Sequence, residues 1–318
     1  MKRALIWLLI AVLLIVAGGV LIYAVMAPLG WKASSLDTVQ YETSTVQIDG
    51  SFTRIRITSL DEDITFVPSA GSGCEVTFYL PEYMSGTAAA QNGELSVTAE
   101  NTSGILSRFR YGNRTAKITV SLPAGTYESL TVEERTGDID IPKDFGFTAA
   151  DIKASTGTVS LRTPVSGTLT IETSTGDIRL TDLSAHAIRL NTSTGDVRLT
   201  GVTAEEEISV TVSTGDTVLD TVRCGSLYTE GSTGELKLTD VLASGSMTLE
   251  RRTGDVTFSA CDAETLSVKT STGDVHGSLL SGKTFTVKTG SGDVHVPDTT
   301  GAPCRITTTS GDIRITVG

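Results

Sequence analysis

Nine acidic side chains recur along the second half of the chain at a nearly fixed interval: Asp138, Asp177, Asp196, Asp216, Glu235, Asp255, Asp274, Asp293 and Asp312. Carboxylates brought into one line repel each other, and a hard divalent cation such as Ca²⁺ could bridge neighbours through oxygen ligands. Two features oppose that reading. The chain lacks the G-G-x-G-x-D nonapeptide of calcium-binding β-rolls. Two residues beyond the acids stand Arg179, Arg198, Lys237, His276, His295 and Arg314, which can neutralise much of the column. Ca²⁺ is the one cofactor the sequence leaves open.

His276 and His295 occupy the same slot of successive copies, beside Asp274 and Asp293. On adjacent strands the two imidazoles would lie about 4.8 Å apart, a possible zinc or copper site. The plainer reading makes them two exposed members of the basic column. His186 has no evident partner. Of four cysteines, Cys224, Cys261 and Cys304 fall in different slots and two copies apart, beyond disulfide reach, Cys261 and Cys304 read as small buried hydrophobes, and Cys74 stays unassigned. No G-x-S-x-G, P-loop, H-E-x-x-H or C-x-x-C motif occurs, so no catalytic residue is assigned and the chain is read as no enzyme. The stretch 103–116, with Phe109, Arg110, Tyr111 and Arg114, is the one basic and aromatic loop and the best candidate for a specific contact.

The elements that must position these residues follow from one repeat. Glycines stand at 137, 157, 176, 195, 215, 234, 254, 273, 292 and 311, each but Gly157 followed by one of the acids; they are spaced 19 or 20 apart, and a fixed period of that size marks a solenoid. Seven residues before each glycine stand Leu130, Ala150, Leu169, Ile188, Ile208, Leu227, Met247, Leu266, Phe285 and Cys304. Five before and two after are also apolar in most copies, and four after is apolar except at Gly277. Polar residues lie between, so the alternation is by twos, which is strand periodicity. Each copy therefore predicts a rung of short strands, apolar side inward, with the Thr-Gly-Asp step at a corner. Gly supplies positive φ there, Asp is expected to bond amides just beyond itself, and the Thr or Ser before Gly is expected to stack hydroxyls along the rod. The expected fold is all-β: a single-stranded parallel β-helix (β-solenoid) of about ten rungs, with one N-terminal transmembrane helix.

Residues 1–27 read as a membrane anchor: Lys2 and Arg3 precede an uncharged run from Ala4 to Met26, long enough at about 1.5 Å per residue to cross a bilayer core. A cleaved signal peptide is the alternative. The flanking charges favour a cytoplasmic N-terminus, with the rest extracellular or periplasmic. Residues 28–44 suit a stalk. Residues 45–129 contain strand-like runs at 53–58, 64–67, 75–80, 94–99 and 117–122, and are expected to cap the regular solenoid of 130–318. Asp61-Glu62-Asp63-Ile64 and Asn92-Gly93-Glu94-Leu95 look like worn corners. Nothing follows the last copy to cover it, so its edge should stay open to another copy or a partner strand. The net charge of −12, without a basic run past the first residues, excludes a nucleic-acid footprint.

Lys117-Ile118-Thr119-Val120-Ser121-Leu122-Pro123-Ala124-Gly125, then Leu130-Thr131-Val132, then Thr136-Gly137-Asp138-Ile139 and the repeated Ser-Thr-Gly-Asp, resemble the bacterial domain-of-unknown-function family labelled putative adhesin. The resemblance covers about residues 45–318. It implies a single right-handed β-helix in membrane-anchored or exported proteins, and it supplies no catalytic residues. The expected function is a non-enzymatic adhesion, scaffold or interaction module whose partners are a surface or envelope protein or polysaccharide. An accessory sensor of an envelope-stress system is the alternative. A carbohydrate-active β-helix enzyme would need long loops that rungs varying by one residue do not provide.

Overall fold

The computed structural model describes residues 2–28, 30–31, 39–102 and 115–318. The regular part is the expected β-solenoid. The rung of Gly195 shows its plan. Ser184–Thr194 leads into the corner, Val197–Thr200 leaves it, and after a second corner at Gly201 the strand Thr203–Ala204 begins the return. Every strand lies parallel to its counterpart on the next rung, so Ile171 faces Leu190 and Leu190 faces Val210. The inward columns read from the sequence are buried: Leu169, Ile171, Ile178 and Leu180 expose none of their surface. Burial of such aliphatic columns supplies the main stabilisation, at about 25 cal/mol per Å² of apolar area.

The corner glycines are required twice over. All ten have φ between +127° and +154°. Each corner also packs backbone to backbone on the one below, so a Cβ on Gly195 would lie 2.1 Å from the Gly176 carbonyl oxygen. Only a residue without Cβ fits. A second corner, six residues on, is also left-handed, at Asp182, Gly201, Thr221, Asp240 and Ala260. At Gly277, the exception in its apolar column, the Phe258 ring of the neighbouring rung fills the space a side chain would take.

The stacking order departs from chain order at the C-terminal end. The rung of Gly273 pairs with Ala302–Ser310 and Ile313–Val317, the last repeat, and that repeat pairs on its other side with Lys283–Ser291 and Val294–His295. The final repeat is therefore inserted, and the one before it ends the rod. Strand length explains the order. Ile313–Val317 pairs with all five residues of Val275–Leu279, whereas Val294–His295 has two residues and is followed by Pro297, which lacks an N–H. The expected open edge on the final repeat is thus corrected: the repeat at 283–296 covers it and is itself the edge.

The other end is built differently. Arg54–Thr58 and Glu62–Pro68 form the rung beneath Gly137, and Asp61 to Ile64 is indeed a corner. Beneath them lie Glu94–Asn101 and Ala116–Leu122. Three further strands run antiparallel: Cys74–Pro81 on Ala116–Leu122, Tyr41–Ile48 on Cys74–Pro81, and Met84–Gln91 on Glu94–Asn101. Asn92 and Gly93, both at positive φ, make the turn of the last hairpin, so their expected corner is corrected. Tyr41–Ile48 and Met84–Gln91 were not expected as strands: the first is mostly polar, and the second, Met-Ser-Gly-Thr-Ala-Ala-Ala-Gln, lacks large inward residues. Phe78 is fully buried here and packs over Gly86, closing the core.

Lys2–Met26 is one α-helix of 25 residues. Among the described residues no helix is long and apolar enough to cross a membrane, so the anchor stands as a reading of the sequence.

Candidate interaction surface

The acidic column is a structural ladder. Oδ1 of Asp177 accepts the amide N–H of Asp196 on the next rung at 3.0 Å, and Asp196 accepts that of Asp216 at 2.8 Å. The same bond links Asp138 to Thr158, Asp216 to Glu235 and Asp255 to Asp274. It follows the spatial order at the end, from Asp274 to Asp312 and from Asp312 to Asp293. The acids thus bond the neighbouring rung, not the backbone just beyond themselves. With one oxygen so engaged and Arg179 on Asp177 at 2.7 Å and Arg314 on Asp312 at 3.1 Å, the column carries its own counter-charge. Among the described residues no group of three or more His, Cys, Asp or Glu side chains could hold a metal ion.

The histidine pair is corrected by the stacking order. His276 and His295 each pair with Arg314, which lies between them, so they are two rungs, about 9.6 Å, apart and separated by a guanidinium. His276 faces Asp274 at 3.6 Å, and Asp293 belongs to the ladder. His186 does have partners: Glu205 at 3.0 Å and Glu206 at 3.4 Å, and the Glu205 bond raises its pKa. The hydroxyl stacking expected just before the glycines is found two residues earlier, on the inside of the corner, where Thr173 donates to Thr192 at 2.8 Å. All four cysteines are free and buried, and burial pushes their thiols up to about 11 or 12. The contact candidates Phe109, Arg110, Tyr111 and Arg114 lie outside the described residues.

The inward slot three residues before Gly also holds two charged groups the sequence reading passed over. Arg251 is buried above Gly231, whose lack of a side chain makes room for the guanidinium, and burial lowers its pKa to about 10. Glu134 sits in this slot near the closed end, its Oε1 accepting the Thr136 amide at 3.1 Å. Glu62 stands beside it at a glycine slot and accepts the Leu60 and Asp61 amides through Oε2. Burial, then the Glu62 charge, pushes Glu134 up to about 8. Their remaining oxygens are buried without a partner, a further cost on the charged form of each carboxyl. Charge in a column otherwise made of Thr, Ala, Val and Gly was the available signal for both.

Over this corner the outer face carries a groove of about 620 Å³ that crosses several rungs, lined by Ser59, Arg135, Lys153, Glu172, Asn191 and Ser193 among others. The residues four before each glycine place Glu133, Lys153, Glu172 and Asn191 along one wall, so acid and base alternate at the strand spacing. Arg135 at the mouth is held by Asp61 at 3.1 Å. The groove is shallow and polar, and it suits an extended chain laid along the rod.

The chain is similar to several solved structures. A putative adhesin from Bacteroides fragilis is 14% identical, with 87% of this chain and 97% of that chain covered at a TM-score of 0.42. A putative lipid binding protein from Parabacteroides distasonis is 18% identical, with coverage of 75% and 96% and a TM-score of 0.47. A putative adhesin from the same organism is 13% identical, with coverage of 87% and 98% and a TM-score of 0.43. No curated protein matches. The model of the Toastrack DUF4097 family matches residues 52–240 and 206–317. Stacked rungs with a Thr-Gly-Asp corner thus coincide with a family match over most of the sequence, and the chain belongs to the Toastrack DUF4097 family.

Proposed function

We propose that this protein is a non-enzymatic interaction module, tethered by its N-terminal helix, whose rod presents a contact surface for an extended protein or polysaccharide of the cell envelope. The observation that carries the reading is the groove of alternating charge and hydroxyl groups along successive rungs. A shallow groove across short, uniform rungs suits an extended partner of regular repeat. Support for the tether comes from the uncharged run between Ala4 and Met26 within the helix Lys2–Met26, preceded by Lys2 and Arg3.

One experiment tests both parts. Membranes holding the full chain are washed at alkaline pH and then incubated with labelled envelope protein and polysaccharide fractions, for the natural chain and for the double variant Lys153→Glu, Glu172→Lys. The expected result is retention of the chain through the wash and loss of capture in the variant. Release by the wash refutes the tether, and unchanged capture refutes the groove.

A further inference from the structure

The rung at 283–296 leaves the rod unfinished. In every rung between the two ends the apolar columns are closed, but here Phe285 and Val287 are only partly buried and Val294 is 42% exposed. Val294 and Val296, with Ile315 and Val317 of the inserted repeat, line a hollow of about 550 Å³. Among the described residues no strand pairs with the outer side of Lys283–Ser291, so its free amides and carbonyls form a row along the rim of that exposed core. The rung is nevertheless firmly placed. Buried Lys283 reaches back to Asp262 at 2.5 Å and to the Ala263 carbonyl at 2.7 Å.

We propose that this end is a homotypic interface, at which two copies of the chain meet end to end and each rung at 283–296 covers the other's core. An occupant must bring a free strand edge and an apolar core section of the same outline. The closed end cannot serve, because Phe78 and Leu80 shut its core and leave no apolar section to be met. The open end of a second copy brings both features. A twofold axis through Val287 pairs Lys283–Ser291 with itself antiparallel, Val287 against its own equivalent and Phe285 against Thr289, and lays one exposed core section over the other. Charge does not oppose the contact, since Lys288 is the sole outward charge on the edge strand and Lys283 is already paired. The contact rests on the fold alone and holds whether or not the groove or the tether does.

The test follows hydrogen exchange and light scattering of the full chain in mild detergent at rising concentration. The amides of 283–291 should gain protection with concentration as the mass of the protein part doubles. Val294→Lys, at a position exposed enough to accept the charge in the monomer, should abolish both changes while leaving the melting curve in place. Protection of 283–291 that does not vary with concentration, or that survives Val294→Lys, overturns the proposal.

Discussion

The two ends of the rod solve the same problem in opposite ways. A parallel solenoid must stop somewhere, and each stop exposes a strand edge and a slice of core. At the N-terminal end the chain reverses direction: Cys74–Pro81 and Met84–Gln91 run against the rungs, and Phe78 and Leu80 close the interior. At the C-terminal end it exchanges the order of its last two repeats and leaves the weaker strand outermost. Closing an end therefore takes antiparallel strands with bulky inward residues. A repeat copied from the middle of the rod does not supply them.

Phe78→Ala and Phe285→Ala give the sharpest contrast. The first opens a cavity in a closed core and should cost about 4 kcal/mol, against about 1 kcal/mol for the second in dilute protein, both read from denaturant unfolding. Equal losses would mean that the C-terminal end is covered already.

The second contrast is in pH. Glu134, at the closed end, has a folded pKa near 8 against an ordinary 4.5, for burial first and the Glu62 charge second. Its contribution to stability is fully present below about 4.5 and is lost as pH rises through 8, because the folded state must then hold a second buried carboxylate. Asp61 and Arg135 alongside neutralise each other. The unfolding midpoint should fall between pH 5 and 9 by the equivalent of at most roughly 4 kcal/mol, and Glu134→Gln should flatten most of that slope. A flat profile in the natural chain would show that Glu134 is not held protonated in the fold. The open end has no such buried pair among the described residues.

The smallest contrast uses the acidic ladder. Asp63 Oδ1 accepts the Asp138 amide at 3.0 Å, whereas Asp293 on the terminal rung has, among the described residues, no rung beyond it to accept from. Asp63→Ala should cost about 1 kcal/mol and Asp293→Ala close to nothing, by thermal unfolding at fixed concentration. A measurable loss for Asp293→Ala would place another strand against that end.

Most of the regular fold was legible because its causes are local and periodic. The period of the glycines, the alternation of apolar columns and the phase of Cys261 and Cys304 all follow from residues 19 or 20 apart meeting the same neighbours. Three things escaped for physical reasons. The Asp bonds run between rungs, and spacing alone cannot tell an amide two residues away from one 19 residues away. Gly86 and the alanines beside it give Met84–Gln91 no hydrophobic signature, since its role is to lie under Phe78. The repeat exchange depends on how many residues two strands share, and the Gly-Asp step is identical in both repeats. The candidate site fared less well, because the groove is made by register across rungs, and the histidine pairing failed with the assumed order.

That exchange also sets an order of events for a chain emerging from its N-terminus. The repeat at 283–296 is complete before the one that must lie beneath it exists, and the rung of Gly273 presents it with a matching edge. Native structure requires it to wait, or to detach, until 302–317 has taken that edge. The tail of the rod therefore cannot reach its native order until residues 302–317 are available to take that edge.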